Sequence, residues 1–357
     1  MKNVKILFIC KNLIDSYGKL CGVVTSTRHI SEYLNRKGFD SNVVVVTDSN
    51  DIDRIVTEYN PNYVFIQAIW VPPYKMIELL NIHRHKRRKW IIRIHSKTPF
   101  IANEGCAFDW IIKYSEIINN NNRKNFILSP NSLEFNNVLT ELGIPNIYLP
   151  NIYEFKEKKD FDAIDEYRDR KYIDVGCFGA IRPMKNQLIQ SIAALKFSKI
   201  IGKPIRLHIN YSRLEQNGIN PYKNIKAIYD REYPKNHLVE HEWLEHSEFL
   251  HLVNQMEICT QVSFSETFNL TTADAVSQGV PIVVSPEIEW MPEYAMASPN
   301  DIDDIADKMV TNYKKRLVYR LGNKASLIKH NFTAKDIWVD FICGENIFDK
   351  IFNRLFK

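Results

Sequence analysis

The sequence predicts an α/β protein with two domains in series, each a parallel sheet covered by helices on both faces. Three observations support this. Apolar runs of strand length alternate with helical spacing; the alternation stops at a charge-dense stretch, 156–171, and starts again; and 357 residues are many for one core. We expect residues 1–155 and 172–332 to form the two domains, with the charged stretch as linker. Residues 333–357 are predicted to be a helical tail.

The first half alternates strands with helices. Strands are predicted at 4–10, 43–46, 63–67 and 90–95, helices at 25–36, 51–59 and 74–83, and short closing strands at 126–129 and 147–149. Strands separated by helices favour parallel pairing, because a parallel neighbour needs a crossover connection.

The second half repeats the pattern. Strands are predicted at 172–178, 205–209, 225–228, 258–262 and 281–285, and helices at 186–201, 247–255, 272–278 and 301–313. The last helix has acids in its first turn, which suits the helix dipole. In open parallel sheets ligands bind beyond the carboxyl ends of the strands, so the loops that follow strands are where chemistry is expected.

Composition excludes several classes of protein. No run approaches the roughly 20 apolar residues that span a bilayer. The cysteines are scattered, without a CxxC pair, at Cys10, Cys21, Cys106, Cys177, Cys259 and Cys343. They are typical of thiols in a reducing compartment, and we expect the protein to be cytoplasmic.

The net charge of +5 is uneven. Residues 1–155 hold 19 Lys and Arg against 14 Asp and Glu, whereas the remaining 202 residues hold 28 of each. The densest basic run is 83–89, which suits either an anionic acceptor or a solvated helix end, the more frequent case.

A basic loop follows the strand at 172–178. It turns at Gly179 and carries Arg182 and Lys185 towards a helix start. Two cations near a helix N-terminus suit a diphosphate and the charge that develops on a departing nucleotide. An exposed basic turn would have the same sequence.

An acidic segment follows the strand at 258–262. Glu266 lies in the loop and Asp274 eight residues later, in the next helix. A loop carboxylate can reach a sugar hydroxyl, a helical one can accept from a ribose, and the amides of residues 268–270 can meet a phosphate. The alternative is that Glu266 caps the helix and Asp274 is an exposed acid.

Taken with Gly279-Val280-Pro281 downstream, these segments resemble family 4 of the retaining glycosyltransferases. That family has the GT-B fold, two facing Rossmann-like domains with a deep cleft between them. In this fold the final helix usually crosses back to pack on the first domain, and the resemblance implies this packing for Trp338 and Phe341. The resemblance implies that Lys185 and Arg182 contact the donor diphosphate and that Glu266 holds sugar hydroxyls near the anomeric centre. It further implies contacts to the donor from the residues Phe268, Asn269, Leu270, Asp274, His95 and Gly22.

In the family, Asp274 corresponds to the ribose acid, and a histidine near the sugar, matched by His95, follows a strand of the first domain. Gly22 belongs to the family's first glycine loop, matched loosely here by Gly18 and Cys21-Gly22. The chain departs from the pattern twice: the ribose acid is usually Glu, and Ala180 replaces an arginine whose charge Arg182 would supply.

The resemblance implies transfer with retention from a nucleoside diphosphate sugar, with no metal and no cofactor. His237, His241 and His246 lack zinc spacing and are predicted to be structural or surface residues.

The implied acceptor is a glycan or lipid-linked glycan. Peripheral membrane contact would suit the basic first half and the basic tail (Lys350, Arg354, Lys357), and modified nucleic acid is a second possible acceptor.

Two other classes of function are weighed against the α/β pattern. An NAD-dependent dehydrogenase would need GxGxxG after a strand, and neither glycine loop supplies it. A non-catalytic nucleotide-sugar-binding module would keep the fold without turnover, and a donor-hydrolysis assay separates it from an enzyme.

Overall fold

The computed structural model describes residues 4–12, 22–120, 125–155 and 171–344. Among these, residues up to Glu154 and from Asn331 onward form one compact unit, and Phe155 to His330 form the other. Nearly all of the predicted linker, together with Gly18, Cys21 and the basic tail residues, lies outside the described ranges.

The first unit is built on a five-stranded parallel sheet in the order β2-β1-β3-β4-β5. Its strands are β1 (Lys5–Lys11), β2 (Asp40–Val46), β3 (Tyr63–Gln67), β4 (Lys89–Ile94) and β5 (Phe126–Pro130). Its helices are α1 (Gly22–Arg36), α2 (Asp51–Tyr59), α3 (Pro73–Asn81), α4 (Thr98–Ile101), α5 (Ala107–Asn120) and α6 (Leu133–Glu141). The central strands are apolar on both faces because helices cover both.

The second unit contains another five-stranded parallel sheet, in the order β10-β9-β6-β7-β8. Its strands are β6 (Ile173–Gly176), β7 (Ile205–Asn210), β8 (His237–His241), β9 (Ile258–Gln261) and β10 (Ile282–Val284). Its helices are α7 (Gln187–Ile201), α8 (Ile219–Glu232), α9 (His246–Asn254), α10 (Leu270–Ser277) and α11 (Ile302–Lys314). The predicted α/β class with parallel sheets is confirmed.

The last helix, α12 (Arg316–Cys343), begins well before the predicted tail. Its second half belongs to the first unit, where Trp338 packs on Phe8 and Phe65 with ring centroids 6.0 and 5.3 Å away. The Trp338 indole N–H donates to the Pro150 carbonyl at 2.8 Å. The core of the first unit therefore needs residues from both ends of the described chain.

Two predicted strands are wrong. Residues 225–228 lie within α8, where Ile225 and Tyr229 are buried at helical spacing. The strand in that region is β8, a half-exposed edge strand whose sequence, His-Leu-Val-Glu-His, has little apolar signal. Residues 147–149 run beside β5 without forming a strand, held by the Ile147 amide on Leu128 O at 2.9 Å.

The basic run at 83–89 is also not simply a solvated helix end. Residues 83–85 form a short 3-10 turn, and His85 and Arg88 are buried against α2. His85 Nε2 donates to Asp53 at 2.7 Å, and Arg88 donates to Asn60 Oδ1 at 2.9 Å. Part of the charge that could attract an anionic acceptor is therefore paired inside the unit.

Candidate functional site

The site predicted in the second half lies where the strand order of its sheet reverses. The chain passes from β6 to β7 on one side, while β9 pairs with β6 on the other. The loops after β6 and β9 therefore leave neighbouring strands at the same sheet edge, which is where ligands bind in open parallel sheets. The two predicted motifs occupy these loops.

The loop after β6 is fixed by backbone positions with positive φ. Gly179 has φ +105°, which favours glycine, and its amide donates to Asn210 Oδ1 at 2.9 Å. Asn186, at φ 58°, donates from its side-chain amide to the carbonyls of Val262 (3.0 Å) and Pro299 (2.8 Å). The loop is thereby tied to the end of β9.

Lys185 and Glu266, one from each loop, form an ion pair. Their side chains are only 13% and 8% exposed, and the Phe264 amide bonds the Met184 carbonyl beside them at 2.9 Å. Burial lowers the pKa of Lys185, while the Glu266 carboxylate opposes that shift. The structure thus brings together the two residues predicted to hold the diphosphate and the sugar.

Arg182 lies in the same loop but has a carboxylate partner that the sequence analysis missed. Its guanidinium donates to Glu215 Oε2 at 3.2 Å, and Arg213 donates to the other oxygen at 2.7 Å. Arg213 also stacks over the Trp243 ring at 4.5 Å. These residues follow β7 and β8 and extend the site's edge; no motif in the sequence marks them.

Helix α10 begins beside the ion-paired loops. Asn269 caps it, with φ 56°, accepting the Thr272 amide at 2.8 Å and donating to Gln261 at 3.0 Å. The Phe268 carbonyl accepts the Trp290 indole N–H at 2.7 Å. Leu270 is the first helical residue, so its amide has no partner within the helix. The backbone contacts from residues 268–270 to a donor stay a prediction.

Asp274 is buried, so the alternative that it is an exposed helical acid is wrong. It is the fifth residue of α10, is 2% exposed and accepts a hydrogen bond from His246 Nε2 at 2.8 Å. His246, predicted to be structural or a surface residue, therefore belongs to this site.

In the first unit, His95 follows β4 and is partly buried. Its Nε2 donates to Gln67 Oε1 at 2.9 Å, and its Nδ1 accepts from Asn131 at 3.3 Å. Burial, with Arg93 nearby, lowers the pKa of His95 to about 3, so the ring is neutral at pH 7. Both ring nitrogens are engaged within the unit.

Arg93 is fully buried and stacks over Trp338 at 5.0 Å. It donates to Asn151 at 2.9 Å, and burial lowers its pKa to about 9. Gly22 is the first residue of α1, and a Cβ placed on it would meet no atom within 4 Å. Space alone therefore does not require glycine at this position.

Across the described ranges, no group of three or more His, Cys, Asp or Glu side chains is placed to hold a metal ion. None of the helices described is both long and apolar enough to cross a membrane. The cysteines seen are free thiols, with Cys10, Cys177 and Cys259 buried and Cys106 and Cys343 exposed.

No protein-family model and no curated protein matches this sequence. Solved structures do match. A sucrose-phosphate synthase from Thermosynechococcus elongatus has 12% identity, a TM-score of 0.68 and coverage of 99% of both chains. A UDP-forming α,α-trehalose-phosphate synthase from Burkholderia xenovorans, in complex with glucose-6-phosphate, has 9% identity, a TM-score of 0.65 and coverage of 95% of this chain and 99% of its own.

A trehalose-6-phosphate structure from E. coli, bound with UDP-2-fluoro glucose, has 9% identity and a TM-score of 0.64, covering 95% of this chain and 98% of its own. These structures are GT-B glycosyltransferases. This chain has the GT-B fold. At such low identity the likeness establishes the fold, and it does not single out family 4.

Proposed function

We propose that this protein is a retaining glycosyltransferase that transfers a sugar from a nucleoside diphosphate sugar to an acceptor hydroxyl. The observation that carries the proposal is the Lys185–Glu266 ion pair, which joins the loops after β6 and β9 where the strand order reverses. The similar structures support it, since their names include nucleotide-sugar and sugar-phosphate ligands.

In this proposal the donor diphosphate lies against Lys185 and the first amides of α10. A cation and a helix N-terminus both favour the charge that grows as the sugar bond breaks. Glu266 accepts hydrogen bonds from sugar hydroxyls, and Asp274, held by His246, lies towards the ribose. His95 and Gly22 remain proposed donor contacts from the first unit.

The acceptor hydroxyl attacks from the face that the diphosphate leaves, which gives retention. A diphosphate oxygen accepts the hydroxyl proton as the new glycosidic bond forms and the old one breaks. The protein then acts through positioning and charge stabilisation, without a metal or cofactor. We propose a cytoplasmic enzyme whose acceptor is a glycan or a lipid-linked glycan.

The test is calorimetric titration with UDP-, GDP-, ADP- and CDP-sugars. We expect one of them to bind the wild type, with affinity lowered about 10- to 100-fold by Lys185→Ala, because a buried charge-assisted contact is lost. Lys196→Ala is the matched control: this lysine pairs with Asp303 on the outside of the same unit. A folded wild type that binds no member of the panel would contradict the proposal.

If the protein is instead a non-catalytic nucleotide-sugar-binding module, it should bind the donor without turning it over. Release of the nucleotide from the bound donor, measured with and without a candidate acceptor, distinguishes it from an enzyme. Modified nucleic acid remains the second acceptor, and labelled sugar appearing on modified DNA would establish it.

A further inference from the structure

The first four turns of α12 expose an apolar side. Leu317, Val318, Leu321 and Ile328 are 60, 68, 73 and 50% exposed. At 100° per residue all four fall within an arc of about 100°. We call these four residues the α12 stripe.

The stripe is not needed to pack the helix. The opposite side of α12 supplies the buried residues Asn323, Leu327, Ala334 and Trp338. A surface helix of this kind normally carries polar residues on its outer face. Contiguous exposed apolar side chains on such a face indicate a binding surface.

The segment of sequence that carries the stripe holds charges of a single sign. From residue 308 to residue 335 the sequence contains no Asp or Glu. The same segment holds the cations Lys308, Lys314, Lys315, Arg316, Arg320, Lys324, Lys329 and Lys335. The even balance of the chain's second half therefore conceals a strongly basic segment.

The cations of this segment differ in their contacts and in their exposure to solvent. Lys335 pairs with Glu154 at 3.1 Å, and Lys324 lies over the Phe155 ring at 6.0 Å. Lys314, Lys315 and Lys329 are exposed. By helical position, Lys324 and Lys329 lie at the two borders of the apolar arc.

We propose that the α12 stripe docks on an anionic lipid bilayer. The apolar side chains would enter the boundary between headgroups and acyl chains, while the bordering lysines extend to lipid phosphates. A nucleic acid would use the cations but would leave the leucine, valine and isoleucine side chains without an apolar partner. The proposal does not depend on sugar transfer.

The experiment is flotation of the full chain with vesicles of phosphatidylcholine, with or without about one-third phosphatidylglycerol. We expect binding to the anionic vesicles only, weakened by added salt. The double variant Leu321→Ser/Ile328→Ser should bind at least about tenfold more weakly, because two large apolar side chains no longer enter the bilayer.

The matched control is Ile112→Ser/Leu142→Ser, which removes two comparably exposed apolar side chains, 49 and 58%, on α5 and at the end of α6. It should float like the wild type. Lys314→Glu/Lys315→Glu tests the charge and should also weaken binding. Circular dichroism and the thermal midpoint show whether each variant is folded.

Several results would overturn the proposal. One is a folded wild type that floats with neither vesicle, and another is equal loss in the stripe and control variants. Light scattering that shows a dimer dissociated by the stripe variant would assign the surface to a second copy of this chain. Binding to duplex DNA that requires the lysines but not Leu321 and Ile328 would assign it to nucleic acid.

Discussion

At the scale of single residues, the polar side chains of the candidate site hold one another in pairs. Lys185 pairs with Glu266, Arg182 with Glu215, and His246 with Asp274. Such pairs keep the charged groups in place before a ligand arrives, and a diphosphate would compete with Glu266 for the lysine.

We expect Glu266→Gln to lower the pKa of Lys185 further. The carboxylate is the main group that raises this pKa against burial, and the amide carries no charge. The pKa is measured from the side-chain NMR shift of labelled lysine, assigned by its loss in Lys185→Arg. A pKa that stays the same or rises in Glu266→Gln would show that the pair does not control this lysine.

The low pKa of His95 predicts that the free energy of unfolding depends on pH. Its folded pKa of about 3 lies below the ordinary value of 6.5, so the unfolded chain takes up a proton first as the pH falls. The stabilisation is complete above pH 6.5 and is lost as the pH falls towards 3. Between pH 6.5 and 5 the free energy of unfolding should drop by about 1–2 kcal/mol from this group.

The measurement is urea unfolding of the wild type and His95→Asn across that pH range. The variant lacks the titrating ring, so its free energy of unfolding should fall by about 1–2 kcal/mol less than that of the wild type over this range. Parallel curves would mean that His95 does not titrate at this low pKa.

At the scale of elements, local capping and close backbone contacts fix the second unit. Asp301 caps α11 by accepting the amides of Asp303 at 2.8 Å and Asp304 at 3.1 Å. The sequence predicted this helix start, and the structure confirms it. We expect Asp301→Ala to lower the free energy of unfolding by about 1 kcal/mol.

Thermal or urea unfolding measures this loss. Asp301→Asn is the control, because an asparagine oxygen can still accept both amides. Equal losses in the two variants would point to the charge of Asp301 rather than to its cap.

At Gly322, within α12, we expect alanine to destabilise the protein, although helix propensity alone predicts that alanine is stabilising. Alanine is ordinarily better than glycine in a helix by about 1 kcal/mol. Here its Cβ would collide with the Tyr294 hydroxyl, which also bonds Asn323 at 2.9 Å. We expect Gly322→Ala to be destabilising by about 1–3 kcal/mol.

Combining Gly322→Ala with Tyr294→Phe removes the colliding oxygen. The double variant should recover part of the loss in urea unfolding, giving a favourable coupling energy. A single variant more stable than the wild type would show that the ring moves aside at little cost.

At the scale of the whole molecule, the first unit is discontinuous in sequence. Its core includes Trp338 and Phe341 from the end of α12 as well as the first sheet. We expect Trp338→Ala to lower the free energy of unfolding by about 3–5 kcal/mol, since a fully buried indole and its hydrogen bond are lost. Phe332→Ala, on the exposed side of the same helix, should change it little.

A fragment of residues 1–155, the predicted first domain, tests the same point. It lacks the aromatic residues that cover β1 and β3, and should show no cooperative unfolding transition. A cooperative transition with the stability of the intact unit would mean that α12 does not contribute to the stability of this sheet.

The sequence alone determined the α/β class, the parallel sheets and the loops that carry the candidate site. These follow from apolar runs and from glycine and charge positions, which are local properties of the chain. Edge strand β8 and helix α8 were misjudged, because an edge strand has little apolar signal and a short apolar run fits either element.

Only the tertiary structure decided which side chains meet. It paired Lys185 with Glu266, turned His246 onto Asp274, placed Glu215 against Arg182 and buried His85 and Arg88. It also left the α12 stripe exposed, although the same spacing in sequence would suit a buried face. These contacts join residues far apart in the chain, and sequence periodicity shows that a helix has an apolar face but not what covers that face.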